Sequence, residues 1–245
     1  MKLFGLIGHP LTHSFSKQYF ENKFEKESIV DCSYNLYDIK NISLYKNVFE
    51  NQNLIGLNVT IPYKESIIDL LDELDEVAKN IGAVNTIKFD PKTKKTIGYN
   101  TDYFGFKNSL KPFLENTHER ALILGTGGAS KAIAYVLKEL NINYLFVSRN
   151  PKNENEIAYN DVNQYVIKHH QIIINTTPLG TYPNINDFPN IPYELLTANH
   201  LLYDLVYNPE ETMFLKKGKE KGTITINGLQ MLKLQAEKSW EIWNS

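Results

Sequence analysis

"RALILGTGGASKAIAYVLKEL", residues 120–140, identifies the fold class. Residues 121–124 form an uninterrupted aliphatic run, as expected of a strand buried on both faces. Glycines follow at 125, 127 and 128, and then apolar residues return every three or four positions, as on one face of a helix. Strand, glycine turn and amphipathic helix in that order begin a βαβ unit, and such units build parallel sheets. A glycine turn that opens a helix lets an anion approach backbone N–H groups at the positive end of the helix dipole. The spacing departs from GxGxxG, since Ala129 and Ser130 follow the glycines, and similar turns occur where no ligand binds. The strand–turn–helix–strand setting makes a dinucleotide pyrophosphate the better reading for Gly125, Thr126, Gly127, Gly128 and Ala129.

The next strand, "YLFVSRN" (144–150), separates two cofactors. An Asp or Glu at its end would bond the ribose 2′-hydroxyl of NAD, whereas a 2′-phosphate calls for a cation. Arg149 stands at the tip, Lys152 follows, and no acid precedes Glu154. The planar guanidinium suits a phosphate. NADP is therefore the expected cofactor.

Outward from this unit the same alternation continues. "QIIIN" (171–175), "HLLYD" (200–204) and "TITIN" (223–227) read as strands, "EETMFLKKGKEKG" (210–222) as a helix, and "LQMLKLQAEKSWEIW" (229–243) as a packed helix. Towards the amino terminus, "KLFGLI" (2–7), "CSYNLYDI" (32–39), "IGLNVTI" (55–61) and "VNTIKF" (84–89) read as strands. Helical spacing marks 14–27 and 43–52, and predicts a longer helix over 63–82 with a break near Asp72. "FDPKTKKTIGYN" (89–100) predicts an outer hairpin. The class is α/β, with a boundary near residue 105. One domain covers 1–105, a second covers 106–228, and the helix 229–243 is expected to return to the first.

Composition limits the function classes. Of 245 residues, 42% are hydrophobic and 22% charged, as in globular proteins with a sizeable core. A formal net charge of −2 makes no electrostatic case for nucleic acid or an anionic membrane. The single cysteine, Cys32, forms no disulfide framework within the chain and suits a reducing compartment. "MKLFGLIGHP" lacks the pattern of a signal peptide, and no apolar run reaches membrane-spanning length, so a cytoplasmic location is expected. Monomer and homodimer both stay open.

Eight motifs then stand in a telling order: "GHPLTHSFSK" (8–17), "NVTIPYK" (58–64), "GAVNT" (82–86), "NTD" (100–102), "GTGGASKA" (125–132), "NTTPLG" (175–180), "DLVY" (204–207) and "GLQMLKLQA" (228–236). In order and context they resemble the shikimate dehydrogenase family over nearly the whole chain. The resemblance implies an N-terminal α/β substrate domain, a C-terminal Rossmann-type dinucleotide-binding domain, and a cleft between them. It implies NADPH-dependent reduction of the C3 ketone of 3-dehydroshikimate to shikimate, in aromatic amino-acid biosynthesis.

The resemblance also assigns residues. Ser14 and Ser16 would face the substrate carboxylate; capping of a helix is the competing role for one of them and is compatible with it. Thr60, Asn85, Tyr207 and Gln235 would bond the substrate. Lys64 and Asp102 would be the catalytic pair, Lys64 supplying a proton to the developing alkoxide and Asp102 orienting it and bonding a substrate hydroxyl. Gly228 and the backbone near Leu205 would line the nicotinamide pocket. Thr181 stands where the family commonly has methionine. His13 is read as a structural neighbour without a catalytic role. Two other readings share most of these motifs: a quinate or NAD-using member of the superfamily, and a non-catalytic sensor of small molecules, for which an intact Lys64 and Asp102 would serve no purpose.

Overall fold

Two six-stranded sheets organise the chain, one in each of two compact units. The computed structural model describes residues 1–11, 14–93 and 95–245, so His13 and Lys94 of the readings above lie outside the described residues. The first unit comprises residues 1–101 and 236–245, and the second 102–235.

In the first unit the strands are β1 (Lys2–Gly8), β2 (Cys32–Asp38), β3 (Leu54–Val59), β4 (Glu73–Leu74), β5 (Thr86–Phe89) and β6 (Thr96–Tyr99). Their order is β2-β1-β3-β5-β6-β4. β1 runs parallel to both neighbours, while β5 is antiparallel to β3 and β6. β1 is an interior strand, and its alternate residues bury on opposite faces: Phe4 and Leu6 join one core cluster, Leu3 and Ile7 the other. Helices α1 (Phe15–Lys26), α2 (Tyr45–Phe49) and α3 (Glu76–Ile81) accompany this sheet.

The segment 63–82 departs from the predicted helix. Turns cover 64–67, a 3₁₀ turn Ile68–Leu70, β4 follows, and only α3 is α-helical. Short acids explain this by offering the backbone other partners. The Asp72 carboxylate accepts from the Thr96 N–H and hydroxyl, each at 2.8 Å, tying the segment to β6. Asp75 accepts from Ala78 N at 2.8 Å and so starts α3 afresh.

In the second unit the strands are β7 (Arg120–Leu124), β8 (Asn143–Ser148), β9 (Glu156–Ala158), β10 (Ile172–Asn175), β11 (Leu201–Asp204) and β12 (Ile224–Ile226). Every pairing is parallel, in the order β9-β8-β7-β10-β11-β12. Counted from β7 this is the doubly wound 3-2-1-4-5-6 arrangement, which reverses between its first and fourth strands. Its helices are α4 (Asp102–Leu110), α5 (Gly128–Glu139), α6 (Gln164–His169) and α7 (Met213–Lys219). β7 buries Ala121 and Ile123 in one cluster with Phe106, Ile133 and Tyr203, and Leu122 and Leu124 in another with Val147 and Phe214. Each fully buried aliphatic or aromatic side chain contributes roughly 1.5–3 kcal/mol.

The last helix, α8 (Leu229–Asn244), is shared: residues up to Gln235 belong to the second unit and those from Ala236 to the first. In the first unit Trp243 lies over Gly56, where an added Cβ would meet its ring at 2.2 Å, and its indole N–H donates to Ile87 O at 3.0 Å.

Candidate active site

β7 ends at Leu124 and the chain turns on Gly125, whose φ of 106° suits glycine. Gly125 N donates to Val147 O at 2.9 Å, and Thr176 N and Oγ1 donate to Leu124 O at 3.0 and 2.8 Å. The carboxyl ends of β7, β8 and β10 thus meet where the strand order reverses, the place at which parallel sheets bind ligands. Thr126 and Gly127 are exposed there, and Gly128 and Ala129 form the first turn of α5. Gly127 caps α5 with no side chain, so the helix's first N–H groups need another acceptor. A methyl group built on Gly127 would meet no heavy atom within 4 Å among the described residues. An open, backbone-lined helix end of this kind fits a dinucleotide pyrophosphate.

Arg149 and Lys152 are both exposed just past β8. The nearby Glu156 carboxylate is directed into the turn, accepting from Lys152 N at 3.0 Å and Asn153 Nδ2 at 2.6 Å. Arg149 also favours the phenolate of Tyr159, although burial is the larger influence and pushes that hydroxyl's pKa up. Two cations at this strand end suit a 2′-phosphate.

After β10 the loop 175–180 is held from below. Asn175 Oδ1 accepts from Thr177 N at 3.0 Å and Thr177 Oγ1 at 2.6 Å, while its Nδ2 donates to Asp204 Oδ1 at 2.9 Å. Asp204 also accepts from Val206 N at 3.0 Å and Thr212 Oγ1 at 2.6 Å. Burial raises its carboxyl from 3.8 to about 6 against those hydrogen bonds. Gly228 abuts Leu205 so closely that a Cβ would lie 2.1 Å from Leu205 O. Tyr207 is half-buried two residues on, and desolvation pushes its hydroxyl pKa up.

Asp102 opens α4 and is 7% exposed; Gln235 is 6% exposed, its Nε2 donating to Leu232 O at 2.9 Å. Gly105 lets α4 approach α8, since a Cβ there would lie 2.5 Å from Met231 O and 3.2 Å from Gln235 Cβ. The structure thereby brings Gln235 beside the helix that Asp102 begins.

The remaining residues lie in the first unit. Ser14 caps α1, its Oγ accepting from Lys17 N at 3.2 Å, and Ser16 is in the first turn. Thr60 directly follows β3, donating its N–H to Ile7 O at 2.9 Å. Lys64 lies in the turns after β3, partly buried, its carbonyl accepting from Val84 N at 2.7 Å. That bond ties the turn to the segment that carries Asn85 and leads into β5. Asn85 is 3% exposed, and Thr101 holds both ends of its amide: Thr101 N donates to Oδ1 at 2.6 Å and Nδ2 donates to Thr101 Oγ1 at 3.0 Å.

Sequence reasoning on "NTD" and "DLVY" gives Thr101 and Asp204 no part; in the structure Thr101 holds the Asn85 amide, and Asp204 holds the Asn175 amide and the Thr212 hydroxyl. It also passes over Ser239, although a signal is available: this serine shares the helix face of Ala236 and Trp243, which is otherwise apolar.

Against this geometry, a family model described as the shikimate dehydrogenase substrate binding domain matches residues 6–87. A shikimate dehydrogenase (NADP(+)) of Methanococcus maripaludis is 41% identical over 99% of this chain and 91% of its own. One from Clostridium perfringens is 40% identical over 100% of this chain and 93% of its own. The crystal structure of shikimate 5-dehydrogenase from Thermus thermophilus, in complex with NADP(H) and shikimate, superposes with a TM-score of 0.86 at 30% identity, covering 99% of this chain and 93% of that one. Similarity at this level runs through both units, the mixed sheet and the parallel one alike, and so the chain belongs to the shikimate dehydrogenase family.

Proposed function

We propose that the protein catalyses the reversible, NADPH-dependent reduction of 3-dehydroshikimate to shikimate, in the cytoplasm and in the service of aromatic amino-acid biosynthesis. The observation that carries this reading is the near full-length identity of 41% to an NADP(+) shikimate dehydrogenase. The backbone-lined opening at Gly127 and the cations past β8 support the cofactor half of it. No helix among the described residues is long and apolar enough to cross a membrane.

NADPH, when bound, supplies the hydride for the ketone carbon. Gly125, Thr126, Gly127, Gly128 and Ala129 hold its pyrophosphate, Arg149 and Lys152 its 2′-phosphate, and Gly228 with the Leu205 backbone its nicotinamide end. Ser14 and Ser16 donate to the substrate carboxylate, which the N-terminus of α1 also favours. Thr60, Asn85, Tyr207 and Gln235 bond substrate oxygens. Lys64 donates a proton to the oxygen on which negative charge develops, and Asp102 orients that ammonium while accepting from a ring hydroxyl. In the reverse direction Lys64 takes the proton back.

The testing experiment follows NADPH oxidation with 3-dehydroshikimate, and NADP reduction with shikimate and with quinate. Turnover with shikimate is expected; activity restricted to quinate, or none with any of the three, would reject the reading.

A further inference from the structure

We propose that a buried network of side-chain hydrogen bonds, centred on Ser239, positions Asn85. Residues that do not touch substrate thereby set the geometry of the substrate site. The inference rests on the reading of Asn85 as a substrate-binding residue.

Ser239 sits in the first-unit part of α8 and is 0% exposed. Its Oγ meets three partners from three separate segments: Asn58 Nδ2 at 3.0 Å, Thr86 Oγ1 at 2.7 Å and Thr101 Oγ1 at 3.1 Å. From Thr101 the chain reaches Asn85, whose amide is held at both ends. An amide gripped through both its oxygen and its nitrogen has one orientation, since flipping it would set donor against donor. In the other direction Asn58 Oδ1 accepts from the Tyr34 hydroxyl at 2.8 Å.

The burial of these groups argues for positioning rather than for stability. Tyr34 is 2% exposed, Asn58 4%, Asn85 3%, Thr86 0% and Thr101 1%, beside the rings of Phe20 and Trp243. Apolar side chains of the same shape would fill this space at no loss of stability, because buried polar groups recover little beyond their desolvation. Hydrogen bonds differ in being directional, and a connected, satisfied set specifies one arrangement of its members. One end of it is Asn85, the residue read as bonding a substrate oxygen. Ser239, Asn58 and Tyr34 are therefore positioning residues, and the last helix contributes to the placement of Asn85.

The test compares Ser239→Ala and Tyr34→Phe with the unaltered protein, each variant losing one hydroxyl and little volume. Shikimate KM, kcat and NADP affinity are measured well below each variant's melting temperature. Loss of one buried hydrogen bond converts to roughly a 2- to 13-fold rise in shikimate KM for Ser239→Ala. NADP affinity should stay within about 2-fold, and Tyr34→Phe, which removes only the more distant bond to Asn58, should give a smaller rise. The side-chain amide signal of Asn85 in a ¹H–¹⁵N spectrum, identified by its loss in Asn85→Asp, gives a readout independent of turnover. It should exchange slowly with solvent in the unaltered protein and faster in Ser239→Ala. Unchanged KM in both variants and an unchanged Asn85 signal, with only a lowered melting temperature, would overturn the inference. Absence of shikimate turnover in the unaltered protein would instead refute the functional reading, while the Asn85 signal would still decide the positioning role.

Discussion

Gly127→Ala and Gly228→Ala add the same methyl group to the same unit and should fail in opposite ways. At Gly127 the backbone has φ −81° and ψ 179°, which any residue adopts, and the methyl meets no described heavy atom within 4 Å. The gain from a stiffer unfolded chain, about 0.4–1 kcal/mol, offsets the poorer capping of alanine, so stability should change by no more than about 0.5 kcal/mol. The methyl instead occupies the approach to the α5 N-terminus. Losing one charge-assisted hydrogen bond to the pyrophosphate, about 1.5–3 kcal/mol, weakens NADPH binding roughly 10- to 150-fold. At Gly228 the methyl would lie 2.1 Å from Leu205 O and 2.6 Å from Leu205 C. A comfortable C···O separation is about 3.3 Å, so the Leu205 backbone must move by about 1 Å. Such overpacking costs about 1–3 kcal/mol, and for a chain of this length lowers Tm by on the order of 2 to 12 °C. Calorimetric melting together with titration of NADPH fluorescence separates the two effects. Wild-type NADPH affinity in Gly127→Ala would refute the placement of the pyrophosphate, and an unchanged Tm in Gly228→Ala would refute the tight approach of Leu205.

Three further outcomes are expected. Lys64→Ala should keep its circular dichroism spectrum and lose ~10²- to 10⁴-fold in kcat with a much smaller change in KM, as for removal of a general acid; near-normal kcat across pH would return Lys64 to the role of a surface charge. Arg149→Ala should raise KM for NADP by about 10- to 150-fold and leave KM for NAD unchanged, and equal losses with both cofactors would reject the 2′-phosphate assignment. Asp204 has its carboxyl raised from 3.8 to about 6, so the folded protein binds this proton more tightly than the unfolded chain does. Its contribution to stability is therefore full below about pH 4 and is lost as pH rises through about 6, a change on the order of 3 kcal/mol. Asp204→Asn should remove that slope from a plot of Tm against pH, and identical slopes in both proteins would show that Asp204 is not its source.

Local chemistry in the chain order was sufficient for the parallel sheet and its cofactor turn. An aliphatic run at 121–124, glycines at 125, 127 and 128, and a cation without an acid at 149 each act through their own backbone or side chain, so one sequence carries the inference. The motifs on which the proposed substrate residues rest are likewise short and contiguous. The stretch 63–82 misled because its apolar spacing is helical, while the groups that divide it, Thr96 on β6 and the Asp72 carboxylate, are brought together only by folding. The same limit applies to Ser239. A serine on an apolar helix face shows that some polar partner must be buried with it, but not which one. Asn58, Thr86 and Thr101 are 181, 153 and 138 residues away in the chain, and no local periodicity encodes a meeting at 2.7 to 3.1 Å. Propensity and motif act over a few residues, whereas a hydrogen-bond network is a property of side chains that only tertiary packing places within reach.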